Sequence, residues 1–473
     1  MEFITYEMFG AVGDGKTNDM PAIIDAHEEA NRLNLPVKTK EGAVYFIENR
    51  AATAVVKTSV DWTGSKFIIN DRDLDDIGKP IFSVPSCTQP VKLELTSLSA
   101  GQDRIDNPTG MELYVQVKND NHRDYIRKGL NQNNGTARQD CFVVLPDGSL
   151  TSPVSFDFDE ITYCRAMPMD SPITLRGGEF TTIANAAESK YNYHSRNISI
   201  SRSYVEVDGI KHFVTGEEEH GAPYGGFLSV TGCAHIRIHD CLFTAHKTYW
   251  TIGAANRPVP MGSYDINCGA AVDVKFERCT QTTDIMDRAY WGLIGSNFCR
   301  DMVLEDCEFS RFDAHMGVAN CTIRRCKLGH QCLNAIGFGQ FNIIDTEACG
   351  YAFVNLRDDY GCTWKGDMII RNCVWNPLGD NRFIFNAHND GTHDFGYTCY
   401  LPANVIIDGF TVKGGCGTLT VFNDWRGKPD PDGEVKYPMV KPEYVSVKDV
   451  SGADNVVLCP DVELLKDTEF VLS

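Results

Sequence analysis

Four things are missing from this 473-residue chain, and each absence excludes a class of protein. No window of about 18 residues is apolar throughout, so no membrane-spanning helix is expected. The opening MEFITYEMFGAVGDG has neither a basic n-region nor an apolar h-region, so no secretory signal is read there. None of the 18 cysteines sits in a C-x-x-C pair, which removes support for a zinc ribbon or a thioredoxin-like site. Basic residues are outnumbered, 44 Lys+Arg against 64 Asp+Glu, and a net charge of −20 argues against nucleic acid as a partner. An acidic substrate stays open, because a local cluster of Arg, Lys and His overrides the global charge. So many unpaired thiols favour a reducing compartment. The cytoplasm is the expected location, with secretion or a virion as alternatives.

What is present is a repeat. An apolar residue, two variable residues and a Cys recur in IRIHDC (Cys241), KFERC (Cys279), VLEDC (Cys307), TIRRC (Cys326) and IIRNC (Cys373). NIIDT fits with Thr346 in place of Cys. The position three back is always apolar: Ile238, Phe276, Leu304, Ile323, Ile343 and Ile370. Spacings of 38, 28, 19, 20 and 27 residues are one turn of a β-solenoid, or a turn plus an inserted loop. A short strand of this kind buries its apolar face only by stacking on the next rung. A thiol at one fixed register then forms an interior column, where a small apolar group packs well.

The N-terminal run FGAVGDGKTNDMPAIIDAHEEANRLNLPV (residues 9–37) reads as strand, Gly-rich turn and helix. Asn18 or Asp19 caps the helix, Pro21 suits its first turn, and Ile23, Ala26, His27, Ala30 and Leu33 share one face. This motif resembles the opening of the pectate-lyase-like superfamily. The resemblance implies a right-handed single-stranded parallel β-helix whose open end is plugged by that helix. Lyases, polygalacturonase-type hydrolases, phage tailspikes and epimerases all carry it, so the chemistry stays open. The expected class is therefore all-β, with an inserted antiparallel subdomain. MELYVQVKND and CFVVLPDGSLTSPVSFDF alternate and contain a hairpin signal. The expected organisation is an N-terminal cap and first rungs over 1–85, the insert over 86–165, the β-helix with its cleft over 166–455, and a C-terminal cap over 456–473. Residues 424–444 read as a Pro/Gly-rich loop.

Polar groups cluster four to eight residues past each Cys. They are His246, Lys247 and Tyr249; Asp284 and Asp287; Arg311, Asp313 and His315; then His330 and Asn334. NLRDDYG adds Arg357, Asp358, Asp359 and Tyr360. Equivalent positions on stacked strands lie about 4.8 Å apart. The register therefore places Asp284 one rung from Asp313, in the range where paired carboxylates cleave a glycosidic bond. Crowded carboxylates also raise one partner's pKa, as a general acid needs. Trp250, Trp291 and Trp364 follow these clusters, and aromatic faces beside carboxylates suit a sugar cleft. Glu217–Glu219 in GEEEHG read as a solvated loop.

The candidate catalytic set is Asp284, Asp287, Asp313, His315, Asp358 and Asp359. The candidate binding set is His246, Lys247, Tyr249, Trp291, Arg311, His330, Arg357 and Tyr360. No metal ligand set is read, and no cofactor is expected. The first reading is a glycoside hydrolase acting on a poly- or oligosaccharide, as a monomer or homotrimer. The Asn-Thr-Asp, Asp-Asp, Gly-His-Gly and Arg-Ile-Lys set of the polygalacturonase type is not reproduced. Asp358–Asp359 stand for its Asp pair and Gly329–His330 for part of its His motif, but the order differs and no Arg-Ile-Lys occurs. The second reading is a polysaccharide lyase acting on uronic-acid glycans, with Lys247, Arg311, His315 and Arg357 as base and cation and Ca²⁺ on Asp284 and Asp287. The third is a non-catalytic carbohydrate-binding or tailspike-like protein.

Overall fold

The computed structural model describes residues 2–473 apart from 77, 130–132, 191–192, 254–255, 388–392, 395–396, 424–438 and 461–464. Most of the 424–444 loop therefore lies outside the described residues. The chain coils into a right-handed parallel β-helix. The apolar repeat positions stack as read: Val207, Ile238, Phe276, Leu304, Ile323, Ile343, Ile370, Ile407 and Val447 pair in sequence down one column. All are fully buried. The last rung is Glu469–Leu472, paired with Tyr444–Val457.

The cysteine column has a second purpose beyond packing. The residue before each Cys or Thr turns the chain with a positive φ: Asp240, Arg278, Asp306, Arg325, Asp345 and Asn372, all between 48° and 55°. The carbonyl just before each turn keeps one ladder bond, from the turn amide of the preceding rung, as in Asp306 N to Arg324 O (3.1 Å) and Arg325 N to Ile344 O (3.0 Å), and has a second lone pair to spare. The thiol or hydroxyl then donates to that carbonyl. Cys241 bonds His239 O (3.2 Å), Cys307 bonds Glu305 O (3.3 Å), Cys326 bonds Arg324 O (3.3 Å) and Cys373 bonds Arg371 O (3.2 Å). Thr346 does the same at 2.8 Å to Ile344 O, which is why Thr replaces Cys there.

Among the 18 cysteines only Cys87 is exposed, and Cys164 and Cys416 are half-buried. Burial pushes the Cys279 thiol well above its ordinary range, which suppresses the reactive thiolate. A chromogenic thiol reagent should therefore label about one group quickly in the native protein and all eighteen after unfolding. Fast native labelling of many groups would contradict a buried ladder.

The helix Met20–Leu33 closes the N-terminal end. Ile23, Ala26, His27 and Ala30 are buried, whereas Leu33 is 40% exposed, because it falls on the last turn past the end of the coil. Asp19 precedes the helix but does not cap it through its side chain. Its carboxylate instead accepts from the amides of Val12, Gly13 and Phe46, tying the Gly-rich turn to the first rungs.

A three-stranded antiparallel sheet, Leu113–Asp124, Thr136–Val144 and Tyr163–Pro168, stands outside the coil. One face has its own core around Leu113, Val115, Val117, Phe142 and Phe158. The other packs Tyr114, Cys141, Val143 and Met167 on Ala234 and Val272 of the coil. A buried ion pair, Arg300 to Asp140 at 2.6 Å, pins the two together.

Candidate functional site: an outer groove on an asparagine ladder

Gly295, Asp313, Asn334, Asn355 and Asn386 share one register position on successive rungs. Their strand neighbours Phe312, Ala314, Leu333, Ala335, Val354, Leu356 and Phe385 are fully buried in the core. Strand alternation therefore turns the polar column outward. Its amides bond in series. Asn355 Nδ2 donates to Asn334 Oδ1 (2.6 Å), Asn386 Nδ2 to Asn355 Oδ1 (2.7 Å), and Asn423 Nδ2 to Asn386 Oδ1 (2.8 Å). Each central amide uses one N–H and one lone pair on its neighbours and keeps one of each for the outside.

This ladder floors a groove of about 650 Å³. Its walls carry Arg288, His330, Gln331, Tyr351 and Asp358. The Arg288 guanidinium lies 5.7 Å from the Tyr351 ring centre. Arg288 forms no ion pair among the described residues. His330 Nε2 donates to the Tyr290 carbonyl at 3.2 Å. Burial lowers its pKa more than that carbonyl raises it. The ring is then neutral at pH 7, with Nδ1 carrying the lone pair. A second recess of about 490 Å³ shares Arg288 and Gln331 with the groove. Lys247, Tyr249, Trp250, Trp291 and Glu218 complete it.

Next to these walls lies a layer of buried and half-buried ion pairs. Arg311 donates to Gln331 Oε1 (3.0 Å) and to Asp313 Oδ2 (2.6 Å), and its guanidinium lies 5.0 Å from the Trp291 ring centre. Asp313 is fully buried and also accepts from the Tyr264 hydroxyl at 2.5 Å. Burial would raise its pKa, but Arg311, His315 and Arg357 outweigh that and hold it below the usual range. His315 Nδ1 donates to Asn297 Oδ1 at 2.7 Å. Burial and Arg357 press its pKa down to about 4. Arg357 grips Asp359 through two bonds, 3.0 and 2.7 Å, and Arg127 of the inserted sheet adds a third at 2.7 Å. Both guanidinia lie close to the Tyr360 ring.

The expected stacking of Asp284 on Asp313 does not occur. Residues 282–293 leave the sheet as a turn, so Asp313 stands on Gly295 instead. Asp284 and Asp287 are exposed, and each accepts from a backbone amide two residues on, at Met286 and Ala289. The hexapeptide SRFDAH divides by strand alternation. Phe312 and Ala314 enter the core, Ser310 donates to the Trp291 carbonyl, and Arg311 and Asp313 form the buried pair. An Asp313→Asn change leaves Arg311 as an uncompensated buried cation, which costs about 3–5 kcal/mol, so the change is not neutral for stability.

A second buried chain of charge was not legible in sequence. Asp265 is fully buried and bonds His212 Nδ1 at 2.8 Å and His246 Nε2 at 3.1 Å. His246 Nδ1 reaches Glu217 Oε1 at 3.2 Å. His212 stacks on Phe227 at 3.8 Å, inside the coil, and bonds Thr182. Burial alone would lower the His246 pKa, but the bonds to Asp265 and Glu217 outweigh it and hold it up to about 10. Burial would raise Asp265, but His212 and both imidazole bonds hold it well below the usual carboxylate range. Glu217 is therefore not a solvated loop residue: its side chain is 10% exposed and tied to an imidazolium.

Lys247, Tyr249 and Trp291 thus line the recess, His330 and Asp358 line the groove, and His246 stands behind the recess. Arg311, Asp313 and Tyr360, buried, and His315, Arg357 and Asp359, half-buried, form the ion-pair layer. Among the described residues, one group has metal-ligand spacing: Asp208, His239 and Asp240, on the outer face of the coil. Arg176 and Arg278 already pair with its two aspartates.

The coil, its N-terminal helix and its stacked rungs define a right-handed parallel β-helix closed at one end by a helix. No family model and no curated protein matches the chain. Solved structures do. The tailspike gp49 of Pseudomonas phage LKA1 is 14% identical, with 95% of this chain and 81% of that one covered and a TM-score of 0.55. The tailspike gp61 of Pseudomonas phage phi297 is 11% identical, with 95% and 80% covered and a TM-score of 0.54. The Gp54 tailspike of Acinetobacter baumannii bacteriophage AP22 is 10% identical, with 99% and 79% covered and a TM-score of 0.54. At this identity the likeness is one of fold.

Proposed function

We propose that the protein binds a poly- or oligosaccharide along the outer groove and cleaves its glycosidic bonds. The observation behind this reading is the groove itself: an amide floor, aromatic and cationic walls, and an Asp and a neutral His on the same cavity. Amides and hydroxyls exchange hydrogen bonds readily, and rings pack on sugar C–H faces. The AP22 tailspike, similar in fold, was solved in complex with a capsular saccharide.

The first chemistry is hydrolysis. Asp358 protonates the leaving oxygen, and His330 Nδ1 takes the proton of the attacking water. Asp313 and Asp359, held ionised by arginines, fix the wall and do not supply a proton. One observation favours a second chemistry. Arg288, in the same wall as His330, pairs with no carboxylate among the described residues and suits the carboxylate of a uronic acid. β-Elimination then uses His330 as the base, as in a lyase.

Incubation with neutral and uronic-acid glycans separates these readings. Hydrolysis gives new reducing ends alone. Elimination gives reducing ends together with ultraviolet absorbance from the new double bond. Binding with neither product, across a broad panel, overturns cleavage and leaves a binding protein.

A further inference from the structure

The strands Tyr249–Ile252 and Pro258–Met261 form an antiparallel hairpin beside the groove. Its root is fixed twice to the neighbouring turn, by Thr248 N to Ala289 O (2.9 Å) and Trp291 N to His246 O (2.8 Å). The second bond uses the backbone of His246, whose side chain is locked in the buried Asp265 chain. The hairpin is therefore held at a set place relative to the groove. On it, Trp250 is 63% exposed. Its strand partner is Pro260, so it stands on a stiff support.

An indole held out in water loses apolar burial that a neighbouring ring would provide. Among the described residues nothing in the coil covers Trp250, yet polar groups surround it. Glu218, Lys247 and Gln331 line the same recess, and Arg288 and Gln331 continue it into the main groove. Lys247 is drawn toward the carbonyls of Glu217 and Glu218. Glu218, on the rim, is ion-paired with Arg72, and Glu219 shares the rim with it.

We propose that this recess is an accessory subsite that seats one sugar ring of a glycan leaving the main groove, with the sugar's apolar C–H face on Trp250. This inference rests on the reading that the groove binds a glycan. An apolar face with hydroxyls at its edge matches a ring platform bordered by hydrogen-bonding side chains. Glycan length then sets affinity: a chain must span the groove and reach the hairpin to use it.

The test is direct binding by calorimetry, with maltohexaose, cellohexaose, chitohexaose and hexagalacturonate and their disaccharides as probes. Trp250→Ala should weaken the hexasaccharide that binds the wild type by about tenfold and its disaccharide by less than about twofold. Trp250→Phe should recover most of the loss. Asn355→Ala, on the groove floor, should weaken both lengths. Equal loss at both lengths, no loss in Trp250→Ala, or no hexasaccharide bound by the wild type overturns the subsite. The readout needs no turnover, so a protein that binds by length but cleaves nothing sinks the cleavage reading and leaves the platform.

Discussion

Asp358→Asn should reduce the rate of glycan cleavage by about 10²–10⁴-fold, the usual worth of a positioned acid, while leaving binding within about threefold. Asp358 begins the short turn Asp358–Tyr360 and lines the groove with Asn334 and Asn355. An amide keeps the shape and removes the proton. His330→Ala should cut the rate to a similar degree and also change its pH profile. With its pKa held below 6.5, the wild-type imidazole accepts a proton across neutral pH and fails only in acid. The acidic limb of the kcat profile should therefore fall below pH 6.5 and vanish in His330→Ala. Full activity in Asp358→Asn, or an acidic limb unchanged in His330→Ala, would remove these residues from the chemistry.

The largest loss of stability is expected from Asp265→Asn. The wild-type carboxylate stands between two imidazoles with no access to water. Removing one member of a buried charged chain costs about 3–5 kcal/mol, since the charge left behind has no solvent to turn to. The melting temperature should drop by about 5 °C or more, read by circular dichroism. The pH dependence carries the sign. His246 has its folded pKa raised from 6.5 to about 10, so its contribution is complete below 6.5 and is lost as pH rises through 10. Asp265 has its folded pKa depressed, so its contribution is present above 3.8 and is lost in strong acid. Asp71, raised to about 7 by burial that outweighs Arg196, loses its own contribution between 3.8 and 7. Between about pH 7.5 and 9.5 only His246 of these three still titrates, and the wild type should lose melting temperature faster than Asp265→Asn. Parallel slopes would mean that Asp265 does not hold His246 charged.

The coil was legible because its signal is repeated. Ile238, Phe276, Leu304, Ile323, Ile343 and Ile370 are the same decision made six times, and each rung confirms the last. The site was legible only in part. Lys247, Tyr249 and His330 fall on the cavities because they follow the cysteine register closely, whereas Trp291 and Asp358 reach them from loops further on. Asp284 does not, since a twelve-residue excursion over 282–293 breaks the count between one strand and the next. His212 and Asp265 were hidden because a polar residue inside a β-helix sits where periodicity predicts an apolar one. Only the outlier in an otherwise apolar column, His212 beside Phe180, marks it. Asn355, Asn386 and Asn423 had a faint signal, an Asn flanked by core residues on successive rungs, but their unequal spacing masked it.

The asparagine floor has a consequence for how a polymer would travel. A ladder that repeats every rung, about 4.8 Å, offers the same donor and the same acceptor at each step. Shifting a bound chain by one rung exchanges like for like, so the floor grips without fixing position. It behaves as a track, and the stopping points must come from its two ends, where Asp313 takes the place of an asparagine and where Asn423 closes the series by accepting from the Ala387 amide.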